Sequence, residues 1–364
     1  MKYLLRIFIF TFVFAFLCSG VVFFNTSVWS QTAVEKLYAD LAKLSPAERE
    51  KRVEEGARKE GTLRIIKTIR GKLGRGHLNR FTKRYPWLKV EHSEMGSQDA
   101  AERLVAEETA GRHLTDVIGM SVLDLAVVIE KDLTAVYPTP ASDKILPKYQ
   151  KYRDPQKRWT IWYWSEHGIV YNTNLVKGED IPKSWDDLCD PKFKGKASYE
   201  PLEVRYLVNV HYMMGEEKFE KWLECLGKND PIIQRGHTTR LQLMLAGDHA
   251  LSGDQYFYNG MKMKSKRANT PFGVNWSIPI LTTGGCNIIN KNTPYPYAAA
   301  LYVDWSLSDE SQKYMASQFR GPVTIKHPYM PDDVELVGLT EPPSLEVVKR
   351  VSESWKKYIG GKKF

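Results

Sequence analysis

The order of apolar and polar residues predicts strands that alternate with helices in the first part of the chain. Each apolar, β-branched run is followed by a stretch with helical spacing, and a glycine-rich turn separates the first such pair. The predicted pairs are 62–68 with a helix through 81, 88–94 with 97–110, and 115–120 with 122–133. Such alternation is typical of a mostly parallel sheet with helices on both faces, so we predict an α/β fold.

A second strand and helix series follows a proline-rich and charge-rich stretch at 134–158, which we expect to be a surface excursion. Its elements are a strand at 196–199, helices at 202–214, 219–226 and up to 245, and a strand at 250–258. Apolar runs flank this series on both sides and predict two strands that cross between two bodies. The late helices, at 297–307, after Ser308 and from Ser344, have no sheet of their own and are expected to return to the first body.

This pattern predicts two lobes. A chain of 364 residues exceeds the size at which single cores stop growing, about 250–300 residues. The predicted organisation is a signal peptide at 1–30, a helical lead-in at 31–60, lobe 1 at 61–165 and 285–364, lobe 2 at 170–280, and hinges near 166–173 and 281–288.

The first thirty residues have the pattern of an export signal. Lys2 and Arg6 precede an uncharged run from Ile7 to Phe24, and Ser30 is a small residue at the position where a signal peptidase cuts. The run is longer than a usual signal core of about 7–15 residues, so an uncleaved membrane anchor stays an alternative. We predict a periplasmic location.

The chain is basic, with a formal net charge of +9 that falls by two if the signal is removed. This excess of positive charge favours attraction to an anionic ligand or to a membrane face. The alternative interpretation is that the lysines are scattered over the surface and solvated. The two lysine-rich clusters, at 262–267 and 356–363, are not interleaved with aromatic residues as in a single-strand binding groove. We therefore predict no nucleic acid partner.

Three cysteines follow the signal. Cys189 and Cys225 lie in the same middle segment and can pair in an oxidising compartment, which leaves Cys286 as a buried thiol. No Cys-x-x-Cys is present, so a zinc or redox motif has no support, and no cofactor is predicted.

Several residues at predicted helix starts can bind an anion with amides, hydroxyls and positive charge. They are Arg70, Gly71, Ser121, Thr238, Thr239 and Arg240. For each arginine a solvated salt bridge is the alternative. Glu200 stands at a strand end where a helix begins, so it can cap that helix or meet a cationic group of the ligand.

Several segments in order carry a family resemblance. They are Glu60–Leu63 (EGTL), Tyr171–Asn174 (YNTN), Pro182–Leu188 (PKSWDDL), Asp190–Lys196 (DPKFKGK), Pro294–Ala300 (PYPYAAA), Asp304–Ser308 (DWSLS) and Gln312. Together they resemble the periplasmic substrate-binding proteins of ABC importers, in the branch that includes the ferric-iron binders. The resemblance implies a two-lobed hinge protein that closes over a small ligand and delivers it to the permease in the inner membrane.

The resemblance also implies a position for a metal. Iron-binding relatives carry adjacent tyrosines after the second-lobe strand, whereas here Tyr256 is followed by Phe257 and then Tyr258. Tyr256 and Tyr258 face the same side if the strand continues through them, so a ferric site at this pair stays an alternative to an anion site.

The sequence contains no motif of the common enzyme classes. It has no Gly-x-Ser-x-Gly elbow, no His-Glu-x-x-His and no phosphate loop, since the glycine-rich turn ends in His77. We predict a monomeric binding protein that is not an enzyme. A ligand-sensing partner of a membrane receptor is the alternative, and an enzyme on the same fold is the least favoured reading.

Overall fold

The structure is a computed structural model that describes residues 31–201 and 204–360, so the predicted signal lies outside the described residues. The strands are β1 (Thr62–Lys67), β2 (Lys89–Glu94), β3 (Val117–Ser121), β4 (Thr160–Asn172), β5 (Ala197–Tyr199), β6 (Ile232–Ile233), β7 (Leu251–Tyr256), β8 (Phe272–Val274), β9 (Ile280–Ile289), β10 (Gly321–Pro322) and β11 (Leu336–Val337). The helices are α1 (Ala33–Leu41), α2 (Pro46–Glu60), α3 (Gly71–Arg84), α4 (Ser97–Thr109), α5 (Ala126–Glu130), α6 (Val204–Met214), α7 (Glu216–Lys228), α8 (His237–Ala246), α9 (Phe257–Lys266), α10 (Pro296–Ser306), α11 (Asp309–Ser317) and α12 (Leu345–Tyr358). None of the helices within these ranges is long and apolar enough to cross a membrane.

The strands form one sheet in the order β2-β1-β3-β9-β4-β7-β5-β6, with β8 and β10 on β4 and β11 on β9. Its two ends are parallel, because β1 pairs with β2 and β3, and β5 pairs with β6 and β7. The centre is antiparallel, where β9 lies between β3 and β4 and β4 also pairs with β7. The α/β prediction is confirmed, and its parallel sheets are joined by an antiparallel centre.

Helices cover both faces at the first end of the sheet. Val117 points to one face, where it belongs to the same buried cluster as Phe81 of α3. Ile118 points to the other face and packs in the cluster that holds Leu104 of α4. Successive residues of a strand face opposite sides, so apolar runs in β1 and β3 bury both faces at once.

The N-terminal helices attach to this end through α2. Ser45 and Glu48 form a capping box at its start. At its other end, Glu60 accepts hydrogen bonds from the backbone amides of Tyr297 and Ala298, at 3.1 and 2.8 Å, and so caps α10. Burial raises the pKa of Glu60 to about 7 although these amides oppose the shift.

Segment 134–158 is not the surface excursion that the sequence predicts. It contains two 3₁₀ turns, and the rings of Tyr149 and Tyr152 are each 1% exposed. Their centroids lie 5.7 and 4.9 Å from the ring of Trp164 on β4. The prolines and charged residues of this segment lie in its turns, while its tyrosines pack in the core against β4.

The last helix also departs from the expectation that the late helices join the first part of the sheet. α10 and α11 do contact α2 and α3, but α12 packs on α6 and α7. Trp355 donates its indole N–H to the carbonyl of Pro201 at 3.1 Å. An amphipathic helix buries its apolar face on any complementary surface, and its spacing alone does not select which one.

The predicted disulfide between Cys189 and Cys225 is present, and Cys286 is a buried free thiol whose pKa burial raises. The disulfide joins the turn after Trp185 to α7. Next to it, the indole of Trp222 donates to the carbonyl of Trp185 at 2.9 Å. The bond therefore fixes a turn that packs at the centre of the sheet.

Replacing both paired cysteines by serine should lower the free energy of unfolding by about 3–4 kcal/mol, because the bond closes a loop with a separation of 36 residues. Urea unfolding of the oxidised wild type and the double variant measures the change. Reduced wild type should match the variant, and equal stability of the oxidised wild type and the variant would contradict the prediction.

His77 should make the protein less stable as the pH falls. It is 1% exposed, shares a 2.8 Å hydrogen bond with Ser311, and has its pKa lowered to about 3 by burial, with nearby cations acting in the same direction. Between pH 6.5 and 3 the unfolded state binds a proton at His77 that the folded state does not bind. The free energy of unfolding therefore decreases as the pH is lowered, by up to about 1.4 kcal/mol per pH unit.

Urea unfolding at pH 5 to 7 measures this slope, to which Glu60, with its raised pKa, contributes with the opposite sign in wild type and variant alike. A variant His77→Gln keeps a polar partner for Ser311 and should flatten the slope. Replacing the exposed His92 in the same way should leave it unchanged, and an unaltered slope in His77→Gln would refute the assignment.

Candidate functional site

The chain crosses the centre of the sheet twice, on β4 and β9, and polar side chains gather where it does. In this pairing Ser165 lies opposite Thr283, and His167 lies opposite Leu281. His167 also pairs with Tyr256, because β4 leaves β9 at this point and continues along β7. The strand register therefore brings together groups that are more than 100 residues apart in the chain.

Tyr256 ends β7 beside two imidazoles. Its ring centroid lies 5.3 Å from that of His167 and 4.8 Å from that of His237, the first residue of α8. Gly236 precedes His237 with a φ of +97°, a conformation that glycine adopts at little cost. The turn thus aims the start of α8 at the end of β7.

Tyr258 lies beside Tyr256, as predicted, but on a helix and not on a continued strand. The strand ends at Tyr256 and α9 begins at Phe257, so the period of two does not continue. Phe257 is fully buried and packs on Trp276, with ring centroids 5.7 Å apart. The rings of Tyr256 and Tyr258 still lie 6.0 Å apart, at the start of the helix.

Arg320 is the cation beside these tyrosines, and the sequence analysis did not identify it. Its guanidinium carbon lies 3.7 Å from the ring centre of Tyr258, and it donates a hydrogen bond to the hydroxyl of Ser165. The next residue, Gly321, pairs with Trp164 in the sheet and fixes the backbone. A single arginine between a helix and a glycine has no motif, so only the fold reveals it.

We call this group of seven side chains the crossover cluster. Its members are Ser165, His167, His237, Tyr256, Tyr258, Thr283 and Arg320. Two of the sequence-predicted residues, Tyr256 and Tyr258, belong to it.

Arg240 and Glu200 contact residues at the start of α8, which carries His237 of the cluster. Arg240 is fully buried and forms an ion pair with Asp254, and it also contacts His237 at 3.0 Å. Glu200 accepts a 2.6 Å hydrogen bond from the amide of Gly236, while its own amide donates to Asp254 at 2.7 Å. Both side chains bond within the protein, with only the Nε of Arg240 left unmatched among the described residues, so they position α8.

The remaining predicted residues lie on exposed or self-satisfied turns. Arg70 is exposed, and the amide of Gly71 donates to Glu94 at 3.0 Å. Ser121 accepts a hydrogen bond from the amide of Leu123, as the predicted cap does. Thr238 accepts one from the side chain of Asn259, and Thr239 is exposed. None of the contacts among residues 31–201 and 204–360 joins Arg70, Gly71 or Ser121 to the crossover cluster.

A second polar group lies on the opposite face of β4, because Glu166 points away from its neighbours Ser165 and His167. Its carboxylate contacts the His327 ring at 3.0 Å and accepts from the Tyr329 hydroxyl at 2.9 Å. Burial acts to raise the pKa of Glu166, but these partners overcome it and the pKa is lowered overall. This carboxylate is therefore satisfied and unavailable to a ligand on the other face.

The described residues hold no group of three or more His, Cys, Asp or Glu side chains arranged to bind a metal ion. A cavity of about 290 Å³ lies elsewhere, between the α1–α2 turn and segment 137–161, and no member of the crossover cluster lines it. The crossover cluster is thus the best candidate site by its chemistry and by its place in the sheet.

A sheet with two parallel ends, crossed twice by the chain at a polar centre, defines a two-lobed binding protein. The chain belongs to the bacterial extracellular solute-binding proteins, since that family's model matches residues 125–336, more than half of the chain.

Solved structures confirm the fold and the resemblance found in the sequence. Iron-bound HitA from Pseudomonas aeruginosa is 19% identical with a TM-score of 0.66, over 80% of this chain and 96% of that one. Trichodesmium IdiA (FutA), in complex with iron and citrate, is 18% identical with a TM-score of 0.65, over 83% and 99%. AfuA from Actinobacillus pleuropneumoniae, with fructose-6-phosphate bound, is 20% identical with a TM-score of 0.61, over 82% and 99%. These TM-scores show a shared fold.

Replacing Arg240 by methionine should lower the free energy of unfolding by about 3–5 kcal/mol, because it leaves the carboxylate of Asp254 buried and unpaired. Urea unfolding without any ligand measures the loss. The double variant Arg240→Met, Asp254→Leu should recover part of it, since no buried charge then remains. A stable single variant that loses only ligand binding would instead make Arg240 a ligand contact.

Proposed function

We propose that the protein is the extracytoplasmic solute-binding component of an ABC importer. It captures a small solute at the crossover cluster and delivers it to the permease in the inner membrane. The observation that carries this proposal is the composition of the cluster, which draws on both crossing strands, on α8 and α9, and on the segment after α11. A solute bound there touches elements on both sides of the crossing.

The proposal includes a hinge at the two crossing strands. Lobe 1 comprises 61–165 and 285–344, lobe 2 comprises 170–280 with α12, and the hinges lie near 166–173 and 281–288. Two adjacent strands can bend together while each lobe keeps its own core, as in other hinge-closing binding proteins. Closure then surrounds the solute, and opening releases it to the permease.

The proposed solute is an anionic organic or phosphorylated compound, with ferric iron as the alternative. Neighbours of the same fold are found with iron and with fructose-6-phosphate, so the architecture is compatible with either. We propose that the protein binds without catalysis, acts as a monomer and resides in the periplasm.

A thermal-shift screen of the chain from Gln31 tests the proposed function. The panel contains ferric complexes, inorganic phosphate, phosphomonoesters, phosphonates, small carboxylates and uncharged sugars. A true solute at a hundredfold its Kd should stabilise the protein by about 2.7 kcal/mol, which appears as a rise of several degrees in Tm. Small-angle scattering should then show a smaller radius of gyration with the solute bound. A solute that is chemically converted, or one that binds without compaction, contradicts the proposal.

A further inference from the structure

Arg320 is the one member of the crossover cluster with a permanent positive charge, and it has no carboxylate partner among the described residues. Arginine carries five N–H donors in a planar fork. Here one nitrogen donates to Ser165, while Nε is buried without a hydrogen-bond partner in the described part of the chain. Leaving such a donor unmatched is costly, which suggests that the matching acceptor comes from outside the protein.

A hydroxyl next to it is also unmatched. The Oγ1 atom of Thr283 is buried and finds no partner among the side chains described, those of residues 31–201 and 206–360. Thr283 lies opposite Ser165 in the β4–β9 register, so both hydroxyls project from the same face of the sheet. Hydroxyls can donate to an anion that also accepts from a guanidinium.

Among the described side chains, the carboxylates around the cluster do not compensate this charge. Asp254 is paired with Arg240, Glu200 accepts from the amide of Gly236, and Glu166 faces the other side of the sheet toward His327. The charge on Arg320 therefore acts in a half-buried setting, where screening by water is weaker than at the surface.

The same charge disfavours a ferric ion at Tyr258. A trivalent cation held by that phenol would lie close to the guanidinium 3.7 Å above the ring, and like charges repel at this range. The rings of Tyr256 and Tyr258 then offer apolar surface on which an organic solute can pack.

We propose that Arg320, with the hydroxyls of Ser165 and Thr283, binds an oxyanion group of the solute, either a carboxylate or a phosphate. This inference rests on the proposed function and names the class of solute. Carboxylate and phosphate both match the guanidinium fork through paired oxygens, so the geometry favours an oxyanion and leaves the choice between the two to experiment.

Isothermal titration with inorganic phosphate, a phosphomonoester series and a mono- to tricarboxylate series, each beside its uncharged counterpart, tests the proposal. The wild type should bind one oxyanion series, and the series that responds distinguishes phosphate from carboxylate. Arg320→Gln should weaken that binding roughly tenfold to a hundredfold, and Ser165→Ala and Thr283→Val less. Arg320→Lys should recover only part, because lysine lacks the planar fork.

Arg267→Gln is the matched control, since it removes the same charge from an exposed position at the end of α9 and should leave binding unchanged. The Tm of each variant without solute verifies folding. If Arg320→Gln does not fold, a partial loss of oxyanion binding in Arg320→Lys and Thr283→Val tests the proposal instead.

Two results would overturn the inference, and they differ from failure of the proposed function. Binding of an uncharged solute or of ferric complexes, with no response to any oxyanion, would refute the role of Arg320 but leave solute capture intact. If Arg320→Gln and Arg267→Gln weaken oxyanion binding equally, the loss is explained by the net surface charge and not by a contact of Arg320 with the oxyanion. Absence of binding and compaction with every probe in both screens would refute the proposed function as well.

Discussion

The antiparallel pairing of β4 with β9 is the constraint on which the rest of the structure depends. β9 pairs with β3 of one parallel end and β4 pairs with β7 of the other, so the hydrogen bonds between β4 and β9 join both ends into one sheet. This register places Ser165 beside Thr283, and the adjoining register of β4 with β7 places His167 beside Tyr256. A shift by one residue would send these side chains to the opposite face, so the candidate site depends directly on this pairing.

Buried charge in this protein is neutralised locally almost everywhere that it occurs around the crossing. Glu166 has His327 and Tyr329, Arg240 has Asp254, and carboxylates of glutamates meet backbone amides at the starts of α3, α8 and α10. These internal anions take positions that the sequence suggested for a ligand. The half-buried charge on Arg320 differs from this pattern, which is why it carries the inference about the solute.

Features that depend on residues close together in the chain were predicted correctly from the sequence. The helix start at Ser121, the alternation of strands and helices, and the Cys189–Cys225 bond are all present. Predictions failed where the outcome depends on a distant partner. The spacing in α12 predicts an apolar face but not that it meets α6 and α7, and the tyrosines of 134–158 are buried because Trp164 lies beside them.

The sequence by itself determined the α/β class, the two crossings and the family, because strand period, helix caps and ordered short motifs are properties of neighbouring residues. Only the tertiary structure decided which polar groups meet. Tyr256 and Tyr258 were within reach of sequence reasoning because they lie two positions apart in the chain. Arg320 joins them through a register between β10 and β4 across more than 150 residues, and no local pattern records such a contact.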